Sequence, residues 1–318
     1  MDPQTPRATE TNSESIRSVT HTAVDEFQFL EGDAARVGAL PPEVERVTAE
    51  VSDGKSISAL KYGFHAPRYV CLHGAGLNAH SFDPMIIALG RPALSVDLPG
   101  HGHSSWHEDA NYTPERLWGE VAGFLEQFVD QPTPLIGHSL GGLIALHLAE
   151  QRPDLVSQVI LVDVTPETSE SANAATVAEF ISGQRSFHSI DEMIDRAIDF
   201  GIGTDRDVLR RGITLNSHTR EDGMIEWIHH LAHLPSFTSQ EKQTAAMWPK
   251  NITVPLTLIR ASNGLVTDTE EHSWQEHFPA SRVEHIDGPH NLHEAVPVEL
   301  ARAVQSILPD YYSSDTER

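Results

Sequence analysis

Along most of the chain, short apolar runs alternate with longer stretches in which apolar residues recur every three or four positions. The runs at 69–72, 93–96, 133–136, 159–162 and 254–259 predict strands, with 283–286 the last strand, in a sheet covered on both faces, where a strand need not alternate. Residues 47–51 and 57–62 do alternate, on either side of Asp53-Gly54, and predict a hairpin. Residues 82–89, 142–151 and 299–308 have helical character. Thr113-Pro114 opens another helix, the threonine as cap and the proline in the first turn. Its apolar face carries Leu117, Val121, Phe124 or Leu125, and Phe128. Strands alternating with helices predict an α/β fold with a mostly parallel sheet covered on both faces. The strand C-terminal ends then gather at one edge, where the chemistry is expected.

The rhythm breaks between Pro166 and Val254. Ile190, Met193, Ile194, Ala197 and Ile198 share one helical face, and Trp227, Ile228, Leu231 and Leu234 form a second set. Residues 167–250 therefore predict an inserted helical cap that could roof a pocket and exclude water. The core is expected over 44–166 and 251–309, with a leader and short N-terminal element over 1–43 and a polar tail over 310–318. Residues 1–20 are rich in Thr, Ser and Glu and read as disordered. Val24, Phe27, Phe29 and Leu30 predict a short element packed on the body.

Composition narrows the partners. The 318 residues are 39% hydrophobic, enough for a sizeable core, and the formal charge is -24. So acidic a chain disfavours nucleic acid, anionic membranes and polyanionic substrates. Cys71 is the one cysteine, so no intrachain disulfide can form; within an apolar run it reads as a strand residue rather than a nucleophile. A signal peptide and a membrane span are not expected, which makes the cytoplasm the expected location.

Candidate chemistry begins at Gly137-His138-Ser139-Leu140-Gly141. It joins an apolar strand to a helix, the setting that a G-x-S-x-G nucleophile elbow requires. The turn is cramped, so its flanking positions must be small. It lifts the Ser139 hydroxyl above the sheet edge and aims the helix N-terminus at the reaction site. Other strand ends carry His73-Gly74-Ala75-Gly76, the loop from Asp97 to Ser104, and Gly288-Pro289-His290-Asn291.

With these loops in place the chain resembles the α/β-hydrolase fold family over about residues 44–309. More narrowly it is similar to small bacterial serine esterases whose acid follows the strand after the elbow. The resemblance implies a cofactor-free hydrolase with Ser139 as nucleophile and His290 as base. It implies backbone N–H groups of Ala75 and Leu140 as oxyanion donors. A serine at the elbow separates the chain from the related epoxide and haloalkane hydrolases, which use aspartate there. Pro289 stands where the family more often has glycine and predicts a stiffer loop. No H-E-x-x-H or similar spacing turns the 19 histidines into a metal site.

The triad acid is the open choice. The commoner position is the loop after strand 254–259, but that loop has no carboxylate until Asp268, where a helix begins. Asp268 could instead cap that helix or lie in its first turn. Asp163, at the end of the strand after the elbow, is the preferred acid; Ser262 or Asn263 would then support the histidine from the later loop. Asp97 reads as a brace for backbone N–H groups, and Arg210, Arg211 and Arg220 as partners in salt bridges. Trp227, Phe237, Met247 and Trp248 are candidate pocket residues. Fold membership does not choose the substrate. A carboxylic ester or lactone of a fairly hydrophobic small molecule leads. Carbon–carbon bond hydrolysis of a diketone-like ring-cleavage product, cofactor-free perhydrolysis and a small-molecule receptor are the alternatives.

Overall fold

A computed structural model describes residues 25–52, 54–168, 172–234 and 248–308. The polar leader, Val24, Asp53 of the predicted hairpin, Phe237, Met247 and the tail lie outside the described residues. The apolar runs form strands β1 (Val44–Ser52), β2 (Lys55–Tyr62), β3 (Val70–Leu72), β4 (Ala93–Asp97), β5 (Thr133–His138) and β6 (Val156–Val162). After β7 (Ser186–Phe187), β8 (Ser217–Thr219) and β9 (Ile225–Trp227), which lie in the insertion, come β10 (Leu256–Asn263) and β11 (Arg282–Pro289). One eight-stranded sheet has the order β1-β2-β4-β3-β5-β6-β10-β11. The β1/β2 and β2/β4 pairs are antiparallel, and from β4 to β11 every neighbouring pair is parallel. The ends of β3, β5, β6, β10 and β11 therefore point the same way, which is what brings their loops together.

Helices cover both faces. They are α1 (Leu30–Val37), α2 (Asp83–Leu89), α3 (Pro114–Leu125), α4 (Leu140–Gln151), α5 (Ala172–Gly183), α6 (Ile190–Asp199), α7 (Arg206–Leu215), α8 (Asp268–His277), α9 (Leu292–Ala295) and α10 (Pro297–Ile307). On one face Leu117 and Val121 of α3, Ile144 and Leu148 of α4 and Trp274 of α8 join the core cluster. On the other, Met85 and Ile86 of α2 meet Leu300 and Val304 of α10. Pro114 opens α3 as expected, but the Thr113 side chain makes no cap bond. Of the predicted N-terminal element, Leu30 opens α1, which packs against α2, and Phe27 packs against the core.

The insertion is a cap of mixed structure. The predicted face of α6 does turn inward, with Met193, Ile194 and Ala197 buried in a separate small core. The second predicted helical set is corrected: Trp227 lies in strand β9 of a three-stranded sheet ordered β7-β9-β8, and Leu231 in a short 3-10 helix. The reason is a local turn. Gly223, at φ +83, lets the chain reverse between β8 and β9, so that Ile225 pairs with Thr219 and Trp227 with Ser217.

Candidate active site

The elbow forms because two glycines permit it. A Cβ at Gly141 would stand 2.1 Å from the Leu72 carbonyl oxygen, and one at Gly137 would stand 2.5 Å from that of Gly141. Ser139, between them, has φ 50 and ψ -120. A non-glycine residue held there costs about 1–3 kcal/mol, which the surrounding packing must offset. Ser139 is also the N-cap residue of α4. Its neighbour Leu140 begins the helix, where backbone N–H groups have no intrahelical acceptor. The loop after β3 lies directly on the elbow, since a Cβ at Gly74 would meet the Ser139 Cβ at 3.1 Å.

His290, which follows β11, donates from Nδ1 to Asp163 Oδ2 at 2.7 Å. Asp163 is fully buried at the end of β6, with φ 52, a left-handed conformation that Asp tolerates better than most residues. Its carboxylate also accepts the Ala261 N–H on Oδ1 at 3.1 Å and the Leu265 N–H on Oδ2 at 2.7 Å. Gly264 makes this possible: a Cβ there would lie 2.1 Å from Oδ2. Where the commoner arrangement would place an acid on this loop, the chain has a glycine that makes room for one arriving from β6.

Asp268 is elsewhere. It is the first residue of α8, with a side chain 96% exposed and paired to Arg260 at 2.6 Å. Thr267, not Asp268, caps that helix, in a reciprocal pair with Glu270. The Ser262 hydroxyl donates to Asp287 Oδ1 at 2.6 Å and accepts the Gly288 N–H at 3.2 Å, holding the segment that leads to His290. Asn263 bonds Ser262 and lies at the pocket wall.

Ser139, His290, Ala75 and Asn263 line one cavity of about 240 Å³. Its cap side is mostly apolar, built from Val177, Phe180 and Ile181 of α5, with Thr176 of the same helix, together with Phe200 and Ile202. Among the described residues, neither lysine nor arginine lines it. Two of the expected pocket residues are corrected. Trp227 is buried in the cap core behind Phe180, with ring centroids 5.9 Å apart. Trp248 stacks on His277 at 3.9 Å and packs against the main core rather than lining the cavity. From sequence, an aromatic in a cap core and one on a pocket wall look alike. The wall residues Phe180, Ile181 and Phe200 were missed for the same reason.

The remaining motif residues have structural partners. Asp97 accepts the Ala79 N–H at 2.7 Å, the His103 N–H at 3.1 Å and Arg46 at 2.7 Å. Arg210 pairs with Asp191, Arg220 with Glu226, and Arg211 with Asp33 and Asp83. His138 is buried, its ring 4.4 Å from that of His290 and 4.4 Å from that of His293. Burial, reinforced by those two neighbours, holds its pKa well below the ordinary value, so it stays neutral beside His290. Among the described residues, no cluster of three or more His, Cys, Asp or Glu could hold a metal ion.

Comparison with known proteins gives the same architecture. The model of the alpha/beta hydrolase family matches residues 69–303. Esterase Rv0045c of Mycobacterium tuberculosis is 37% identical over 300 residues, 90% of this chain and 97% of that protein. A solved structure of the same esterase superposes with a TM-score of 0.76 at 36% identity, covering 90% of this chain and 99% of that one. A mouse protein named sn-1-specific diacylglycerol lipase ABHD11 is 25% identical across 76% of this chain and 81% of its own length. The structure of E-2-(acetamidomethylene)succinate hydrolase shares the fold, with a TM-score of 0.72 at 22% identity, over 82% of this chain and 98% of that one.

Proposed function

The chain belongs to the α/β-hydrolase family, and on that premise we propose that it is a cofactor-free serine hydrolase of carboxylic esters or lactones. The observation that carries the reading is the 2.7 Å bond from His290 to the buried Asp163, in the same cavity wall as the strained Ser139. Asp163 fixes the imidazole with Nδ1 protonated, which leaves Nε2 free to take the Ser139 proton as Oγ attacks the carbonyl carbon. The backbone N–H groups of Ala75 and Leu140 receive the oxyanion. Collapse of the tetrahedral species expels the alcohol, protonated by His290, and leaves an acyl group on Ser139. Water, deprotonated by the same imidazole, then releases the acid.

The cavity supports a neutral, fairly apolar substrate. Apart from Thr176, its described cap side is hydrocarbon, and no described lysine or arginine lines it to bind a carboxylate. The printed names of two relatives, an esterase and a diacylglycerol lipase, agree with ester cleavage. No helix among the described residues is long and apolar enough to cross a membrane. A cytoplasmic location is part of the proposal, supported by a lone cysteine kept buried as a thiol.

Turnover of short neutral p-nitrophenyl esters and unsubstituted lactones tests the reading. Wild type should release p-nitrophenol, and Ser139→Ala should lose roughly 10⁴-fold or more in kcat. Undiminished hydrolysis by Ser139→Ala would sink it. Turnover confined to 1,3-diketones would move the assignment to carbon–carbon hydrolysis.

A further inference from the structure

We propose that Asn216, a cap residue, is a positioning residue for the oxyanion-binding loop, so that the site is complete only with the cap docked. The inference rests on the serine-hydrolase reading and on Ala75 as a donor. Ala75 sits in a tight turn closed by the Leu77 N–H on the Gly74 carbonyl at 3.2 Å. Gly76 occupies the third position of that turn at φ +73, the conformation that a type II turn requires there. A turn of this kind can flip its peptide planes unless they are held.

Both sides of Gly76 are held, from different parts of the molecule. On the core side, the Gly76 N–H donates to His101 Nε2 at 3.0 Å. His101 Nδ1 donates to the Pro99 carbonyl at 3.1 Å, which fixes the tautomer that leaves Nε2 as the acceptor. On the cap side, Asn216 Nδ2 donates to the Gly76 carbonyl. Asn78, one turn further along the same loop, donates to the Leu215 carbonyl at 2.8 Å and to Asn216 Oδ1 at 3.3 Å. Both asparagines are buried.

Asn216 is in turn fixed to the cap. It is the C-cap residue of α7, and its carbonyl accepts the Ile228 N–H at 3.1 Å. Buried Arg211, on the same helix, bonds Asp33, Asp83 and the His80 carbonyl, tying α7 to α1 and α2. A displaced cap would therefore withdraw the amide that holds Gly76. Ala75, next in the chain, would lose the rigidity that an oxyanion donor needs.

The test uses the full chain with p-nitrophenyl butyrate as substrate and an alkylboronic acid as mimic of the tetrahedral adduct. Asn216→Leu and the nearly isosteric Asn216→Asp both remove the donor. Each should lower kcat by about 30-fold, less than the 10²–10³ lost when a donor is deleted outright, and weaken boronate binding by a similar factor. KM should change by less than about threefold, because ground-state contacts are untouched. Ser189→Ala removes the hydroxyl that accepts the Glu192 N–H at the start of α6, which frays that helix end but leaves α7 and its bonds to the loop in place, and should leave kcat unchanged. If Asn216→Leu fails to fold, Asn216→Asp decides. A fall smaller than about fivefold in the folded variants, or an equal fall in Ser189→Ala, overturns the inference. Full activity in Ser139→Ala would instead overturn the underlying reading.

Discussion

Asp163 is the residue on which the proposed chemistry turns, and its surroundings separate it from its rival. It is fully buried and bonded to His290 and two backbone N–H groups, whereas Asp268 is in solvent, paired with Arg260. Asp163→Asn should leave the fold intact and lower kcat by roughly 10⁴-fold, because the amide cannot hold the required imidazole tautomer. Asp268→Asn removes a surface ion pair worth about 0–1 kcal/mol and should change neither kcat nor melting temperature by much. Steady-state kinetics on the two variants checks this, and the reverse ranking would move the acid to α8. The elbow and Asp163 were legible in the sequence because each sits at a strand end, and Asp268 because it opens a helix in the loop that follows one. Gly264 was not. Its importance is the 2.1 Å approach of a carboxylate from another strand, and no local pattern announces a long-range contact.

The elements show the same division between near and far. Five buried strands were readable as apolar runs and α6 as a helical stripe, since both signals come from adjacent residues; β11, at the sheet edge, has no fully buried residue. The small sheet of the cap was not, because three strands of two or three residues are too short to establish a period. Nor did the sequence indicate how the cap is tied down. Arg211 of α7 is 6% exposed and bridges Asp33 of α1 at 2.6 Å and Asp83 of α2 at 2.7 Å. Arg211→Met would leave two buried carboxylates facing each other. It should destabilise the protein by about 3–5 kcal/mol, read as a lower urea midpoint with an unchanged m-value. A loss below 1 kcal/mol would mean that the bridge does not anchor the cap.

Across the whole molecule, buried histidines set the acid limit of stability. Burial lowers the pKa of His73 to about 4 and of His229 to about 3, and carries His101, His138 and His293 well below the ordinary value. Each folded-state pKa lies below the unfolded value of about 6.5, so the unfolded chain binds more protons at acid pH. Stability from these groups is complete above pH about 6.5 and falls as pH drops, by about 1.4 kcal/mol per pH unit for each group. His80 acts oppositely: burial opposes its charge, but Asp83 and Glu26 outweigh that and raise it to about 9. Its contribution is complete below about pH 6.5 and is lost as pH rises through about 9. Thermal melts from pH 4 to 10 should therefore peak near neutrality, with a steep acid limb and a shallow alkaline one. A melting temperature that stays level from pH 6.5 to 4.5 would contradict this account of the buried imidazoles.

The central claim is that Ser139 is made nucleophilic by His290, and labelling with a fluorophosphonate followed by peptide mass analysis tests it most directly. One adduct per chain is predicted, on the peptide containing Ser139, with the labelling rate collapsing in His290→Ala. An adduct on another residue, or an equal rate in His290→Ala, would contradict it.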